Sequence, residues 1–251
     1  MCDMSKVKFD FAGENYVVTG ASSGMGRQVA LELAQAGAKV LAIARREDKL
    51  LELQAECAEQ IFVAPLDVCD RAKLENAIKV FVEVHGKVSG GIHAAGITNI
   101  TPIKSYNRIQ ASEIMNINFW AGMDFLQIIT KRKFSNEKSS FVLFSSVGAQ
   151  YSPKGMFVYG ASKAAVDSAI RSISKEIAKR GQRVNTVMPG WVETGMTDKL
   201  GLISNTSEIL ANEMLGIGFP EDVSGMVLFL LSDRARWITG TSIAVDGGFL
   251  A

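Results

Sequence analysis

The chain is poor in residues that cross-link or hold metals. Its three cysteines (Cys2, Cys57 and Cys69) are odd in number, lack metal-ligand spacing and are too few for a disulfide framework. There are two histidines, His85 and His93, and no His/Cys cluster that would suggest a metal centre. An excess of one charge sign is also missing. Twenty-seven Lys and Arg face 26 Asp and Glu, which argues against a nucleic-acid or anionic-membrane partner. The longest apolar run, 226–231, is far short of a bilayer span. Residues 1–10 carry charges and lack the apolar stretch of a secretory signal. These absences point to a soluble chain in a reducing, cytoplasmic setting, with no nucleic-acid or membrane partner.

What is abundant is apolar sequence, 47% of the residues, ample for a core on both faces of a sheet. Short β-rich runs occur at 16–19, 40–43, 61–64, 141–144, 184–188 and 242–245. A weaker run at 88–93 is diluted by Gly90 and Gly91. Helical periodicity fills the intervals at 25–36, 49–58, 71–84, 111–130, 158–178 and 222–231. Apolar strands alternating with helices predict an α/β fold, a doubly wound, mostly parallel sheet of Rossmann type. Without linkers or repeats, 1–251 reads as a single domain. The stretch 194–218 interrupts the alternation, and long insertions of this kind are often lids or binding loops.

The first strand runs into Thr19-Gly20-Ala21-Ser22-Ser23-Gly24-Met25-Gly26-Arg27 and then a helix. Glycines at such a turn let the backbone approach a pyrophosphate, while the helix N-terminus supplies N–H groups and positive potential. The G-x-x-x-G-x-G spacing differs from the generic dinucleotide fingerprint, and no Gly-Lys-Ser/Thr follows, which excludes a P-loop. A dinucleotide is the expected ligand. At the end of the second strand, eighteen residues past Gly26, the slot for a ribose-binding carboxylate holds Ala44, followed by Arg45 and Arg46. A cation there suits the 2′-phosphate of NADP(H), so Arg45 is expected to bind it.

Tyr159 and Lys163 are four apart in a helical segment and therefore share a face, roughly 6 Å apart at ~1.5 Å rise per residue. A phenol with an ordinary pKa of about 10 exchanges protons poorly near neutrality, and a neighbouring cation lowers that value. The pair can form an acid–base unit. Ser146 lies thirteen positions upstream at the end of the fifth apolar run.

With Gly20, Gly24, Gly26, Ser146, Tyr159 and Lys163 in this order, nearly the whole chain resembles the short-chain dehydrogenase/reductase family. The resemblance implies hydride transfer between a nicotinamide and a carbonyl or secondary alcohol. Tyr159 would be the acid/base, Lys163 its modulator and ribose ligand, and Ser146 the partner of the substrate oxygen. Asn118 would complete a catalytic tetrad by holding a relay water. For the cofactor, the resemblance implies contacts from Gly20, Ser22, Ser23, Gly24, Met25 and Gly26, and from Asp67 and Val68 beside the adenine. It further implies contacts from Ala95 and Gly96, and from Pro189, Gly190, Val192 and Thr194 on the nicotinamide side. The family's Asn-Asn-Ala-Gly stands here as His93-Ala94-Ala95-Gly96, so only the Ala95-Gly96 backbone carries over. A packed or sheet-capping role is expected for His93.

Within the family, Gly218-Phe219-Pro220-Glu221-Asp222-Val223 and the ending Val245-Asp246-Gly247-Gly248 resemble 3-oxoacyl-acyl-carrier-protein reductases. A 3-oxoacyl thioester, carried on an acidic carrier protein, is therefore one implied substrate. Small alcohols, polyols, sugars and steroids form the alternative class, and a non-catalytic NADP-binding regulator is a third reading. A homotetramer is expected, with one dimer contact through the helix from 158 and a second dimer axis, through the last strand and helix, that the family resemblance implies. Small and apolar positions on the helix from 158 (Ala161, Ala164, Ala165, Ala169, Ile170, Ile173 and Ile177) exceed one narrow stripe and call for a second packing partner.

Overall fold

The computed structural model describes residues 7–100, 102–195 and 214–251. Its strands are β1 (Asn15–Thr19), β2 (Lys39–Ala44), β3 (Ile61–Pro65), β4 (Val88–His93), β5 (Ser135–Phe144), β6 (Arg183–Pro189) and β7 (Ser242–Val245). All pair in parallel, in the order β3-β2-β1-β4-β5-β6-β7. The helices are α1 (Gly24–Gln35), α2 (Glu47–Glu56), α3 (Arg71–His85), α4 (Arg108–Met115), α5 (Ala121–Ile129), α6 (Phe157–Ile177) and α7 (Pro220–Leu231).

Alternation along the strands explains why both faces are covered. Tyr16 and Val18 of β1, Val40 and Ala42 of β2, and Val142 and Phe144 of β5 enter one core layer with α1, α2 and α7. Their neighbours Val17, Leu41, Ile43, Phe141 and Leu143 point the other way, into a layer closed by α3, α5 and α6. Every parallel connection thus needs a helix, and the helices cover both faces, α1, α2 and α7 on one and α3, α5 and α6 on the other. Gly181 has φ +68° and ends the turn after α6 in left-handed backbone.

Two elements depart from the sequence reading. The single helix expected at 111–130 begins at Arg108, capped by the Asn107 side chain, and contains a π-helical turn at Asn116–Trp120 between α4 and α5. β5 starts at Ser135, ahead of its apolar run, because Ser135 pairs with Val88 before a register shift. Lys138 takes up that irregularity at φ +64°. The segment 196–213, within the insertion expected at 194–218, lies outside the described residues. Its two flanks are paired with each other: Val192 bridges Gly218, and Glu193 N donates to Gly218 O at 2.8 Å.

Candidate active site

Sequence order and sheet order reverse between β1 and β4, and ligands of open α/β sheets bind at such a point, outside the carboxyl ends of the strands. The expected site residues collect on this edge. Gly20 follows β1, Ala44 closes β2, Asp67 follows β3, His93 closes β4, Ser146 follows β5 and Pro189 closes β6.

The turn after β1 is built for close approach. Gly20 has φ +73°, and a Cβ on it would stand 2.6 Å from the Ala95 backbone nitrogen. One on Gly26 would stand 2.6 Å from the Gly20 carbonyl. The β1 turn and the Ala94–Ala95 backbone thus touch across the switch point, with no room for side chains. Ser23 precedes α1 in extended backbone without capping it, and the first turn has no acidic residue, so the positive end of α1 faces outward beside Gly24 and Met25. Thr194 meets the same turn, 3.1 Å from where a Gly24 Cβ would lie. Gly190 packs on Asp246, 2.8 Å from the position of its missing Cβ. A glycine-lined cradle on an uncapped helix N-terminus fits the pyrophosphate of a dinucleotide.

The arginines after β2 divide the space. Arg46 reaches back to the cradle, donating to Ser22 Oγ at 2.9 Å and Ser23 Oγ at 2.7 Å. Arg45 instead borders a hollow of about 540 Å³ with Asp67, Cys69, Arg108 and Ile117. Asp67 accepts from Cys69 N at 2.9 Å, and Val68 is buried beside it. Sequence reasoning singled out Arg45 and missed the reach of Arg46. Two adjacent arginines look alike until the turn aims them.

Ser146, Tyr159 and Lys163 converge. Ser146 Oγ accepts from Gly148 N at 3.0 Å and lies beside Tyr159: a Cβ on Gly148 would stand 3.3 Å from both Ser146 Oγ and the Tyr159 ring. Burial raises the Tyr159 pKa above its ordinary value, and the Ser146 hydroxyl draws it partly back. The lowering expected from Lys163 is not the dominant effect. Lys163 Nζ sits 5.8 Å from the centre of the Tyr159 ring and donates to the Phe144 carbonyl at 2.7 Å. Burial lowers its own pKa to about 8, against an opposing pull from Asp167.

Asn118 sits in the π turn, almost fully buried. Its amide spans Ile97, accepting from N at 2.8 Å and donating to O at 2.9 Å, and donates to Ser162 Oγ at 3.0 Å. One Oδ1 lone pair remains. Gly96 leaves open the space between that oxygen and Lys163: a Cβ there would lie 3.3 Å from Asn118 Oδ1 and 3.5 Å from Lys163 Nζ. His93 is packed, as expected. Its Nδ1 pairs with Thr19 Oγ1 at 2.9 Å, joining β4 to β1, while Nε2 is buried with no hydrogen-bond partner among the described residues. Burial, then Lys163, lowers its pKa to about 3, so it stays neutral.

Known proteins match this chain along nearly its whole length. Residues 20–250 match the family model described as enoyl-(acyl carrier protein) reductase. The chain is 31% identical over 241 residues to the 3-oxoacyl-[acyl-carrier-protein] reductase of Thermotoga maritima, covering 95% of this chain and 98% of that protein. It is 32% identical over 244 residues to the L-xylulose reductase of Caenorhabditis elegans, covering 96% and 97%. Among solved structures, a short-chain dehydrogenase/reductase of Brucella melitensis titled glucose/ribitol dehydrogenase superposes with a TM-score of 0.91 at 28% identity, covering 97% of this chain and 99% of that one. The matches run along nearly the whole chain and are to oxidoreductases acting on CH–OH or C=O groups, so the chain is such an enzyme and belongs to the short-chain dehydrogenase/reductase family.

Proposed function

We propose that the chain is a single-domain, NADP(H)-dependent carbonyl reductase with 3-oxoacyl thioesters as its first substrate class, working in the cytoplasm as a homotetramer. The observation that carries the reading is the convergence of Ser146, Tyr159 and Lys163, with the phenol held protonated. A protonated phenol beside a serine hydroxyl is a proton donor aimed at a carbonyl oxygen, which favours reduction over oxidation near neutrality.

The glycine cradle of Gly20, Gly24 and Gly26 would hold the pyrophosphate, and Asp67 and Val68 the adenine side. Ala95, Gly96, Pro189, Gly190, Val192 and Thr194 would line the nicotinamide side. Bound there, the nicotinamide supplies the hydride for the carbonyl carbon. Ser146 would orient the substrate oxygen and share its developing charge through its hydroxyl. Tyr159 Oη would deliver the proton to that oxygen. Lys163, as an ammonium, would stabilise the phenolate left behind. The gap at Gly96 between Asn118 Oδ1 and Lys163 Nζ has the polar borders that a proton-relaying water needs.

Arg46 on Ser22 and Ser23, Arg45 beside the hollow, and the missing carboxylate at Ala44 support NADP(H) over NAD(H). The likeness to the Thermotoga maritima protein supports the thioester substrate, while the likeness to L-xylulose reductase keeps small polyols and sugars as the second class. Free thiols at Cys57 and Cys69 suit a reducing compartment. Steady-state turnover with NADPH and NADH over 3-oxoacyl thioesters, simple ketones and keto-sugars tests the proposal. No turnover of any carbonyl would sink it, and turnover confined to keto-sugars would replace the substrate class.

A further inference from the structure

Asp167 is a buried charge outside the proton machinery described above. It lies one helical turn after Lys163 on the same face of α6 and is 5% exposed. Its Oδ1 accepts from Thr186 Oγ1 on β6 at 2.6 Å and from Ser242 Oγ on β7 at 2.9 Å. Its Oδ2 accepts from Ser145 Oγ, just past β5, at 2.8 Å. Three hydroxyls from neighbouring strands thus meet on one carboxylate, and among the described residues no lysine or arginine forms an ion pair with it. A buried carboxylate is costly to desolvate, and a neutral side chain could tie the same hydroxyls together. The charge itself needs a reason.

Lys163 supplies one. Around its ammonium stand the Tyr159 phenol on α6, the neutral His93 at the end of β4, the Asn118 amide in the π turn and the Phe144 carbonyl of β5. Arg171, a turn beyond Asp167, is exposed. Among the described residues, Asp167 is the anion that acts on Lys163, opposing the effect of burial. The same carboxylate grips Ser145, whose backbone N–H also donates to Val187 O at 2.8 Å, and Ser146 is the next residue. We propose that Asp167 is a positioning residue for the reaction: its charge keeps Lys163 an ammonium in a buried site, and its grip on Ser145 fixes the strand end from which Ser146 projects. The inference rests on the assignment of Lys163 and Ser146 to the reaction.

The test titrates Lys163 directly in protein labelled with 13C at lysine Cε, its signal identified by its loss in Lys163→Arg. Asp167→Asn keeps the shape and hydrogen-bonding capacity while removing the charge. Its Lys163 midpoint should fall by about one pH unit, a roughly tenfold loss of proton affinity, and the alkaline limb of kcat/KM should fall with it. Ser145→Ala keeps the charge, so the midpoint should hold while kcat drops several-fold at every pH. An unchanged midpoint in Asp167→Asn overturns the proposal, whatever its activity. Should that variant fail to fold, the wild type decides. The Asp167 13Cγ signal should step slightly at the Lys163 midpoint, as it must if the two groups are coupled. No step there overturns the proposal. The titration needs no turnover, so an inactive wild type would defeat the functional reading while still measuring this coupling.

Discussion

At the scale of single residues, the site is a set of pKa values moved by burial. Tyr159 is pushed up and stays a phenol, and Lys163 is pushed down to about 8. Tyr159→Phe should lower turnover by at least ~10²-fold, the scale of lost general acid catalysis, with NADPH affinity kept within a few-fold. Near-wild-type turnover would remove Tyr159 from the chemistry. For carbonyl reduction, kcat/KM for NADPH should be level below about pH 8 and decline above it as Lys163 loses its proton. Activity still climbing at higher pH would mean that the neutral amine is the working form. His93 gives the opposite lever, on stability. Its folded-state pKa of about 3 lies below the ordinary 6.5, so the unfolded chain binds more protons between those values. Stability from this group is full above 6.5 and is lost as pH falls towards 3, by about 1.4 kcal/mol per pH unit. In urea unfolding across that window, His93→Asn should flatten the slope; an unchanged slope would assign the acid sensitivity to other groups.

At the scale of elements, the β1–α1 turn and the residues after β2 are tied together by the bonds of Arg46 to Ser22 and Ser23. Gly20→Ala would combine a φ of +73° with a Cβ 2.6 Å from Ala95 N. It should abolish NADPH binding in a fluorescence titration and cost about 1–3 kcal/mol of stability. Tight binding by this variant would show that the turn can open without loss. Arg46→Ala should weaken NADPH about tenfold, the scale of one charge-assisted contact, and leave NADH within about twofold. Equal losses for both cofactors would make Arg46 a support for the Ser22–Ser23 turn, with the 2′-phosphate left to Arg45. The π turn is the other element with a bearing on the site. It carries Asn118 inward, where the amide latches Ile97 and Ser162 beside the Tyr-Lys pair.

At the scale of the whole molecule, the surface around α4 to α6 is the unusual one. Ile109 is 82% exposed and Trp120 57%, and Phe157 at the start of α6 is also exposed. Ala161 faces solvent, and Ala164, Ala165 and Ala169 are half-buried. Exposed large apolar side chains beside small residues suit close packing of a second copy across a two-fold axis. Ahead of the edge strand β7, Trp237 is 96% exposed, supporting a second contact. Light scattering at micromolar concentration should give about four times the 27.1 kDa chain mass. A mass near that of one chain would defeat the tetramer.

The alternation of apolar strands and helices, the glycine cradle and the Ser146-Tyr159-Lys163 order were legible in the sequence, because each is a local rule: a period of 2 or 3.6, a turn that needs glycine, a spacing of four on a helix. What stayed hidden depends on contacts between distant segments. No local signal makes the polar run at Ser135 a strand; its partner Val88 does. Nothing in Arg45-Arg46 tells which guanidinium turns back to Ser22 and Ser23, since the direction is set by how β2 sits beside β1. The direction of the Tyr159 pKa was likewise decided in three dimensions. A neighbour four residues away suggested a lowering, but burial between α6 and the β5 end outweighs it, and Lys163 gives its hydrogen bond to Phe144. Asp167 is the clearest case. In the sequence it is one acidic residue on a helix, and only the sheet, by bringing Ser145, Thr186 and Ser242 together over it, makes it a buried charge beside Lys163.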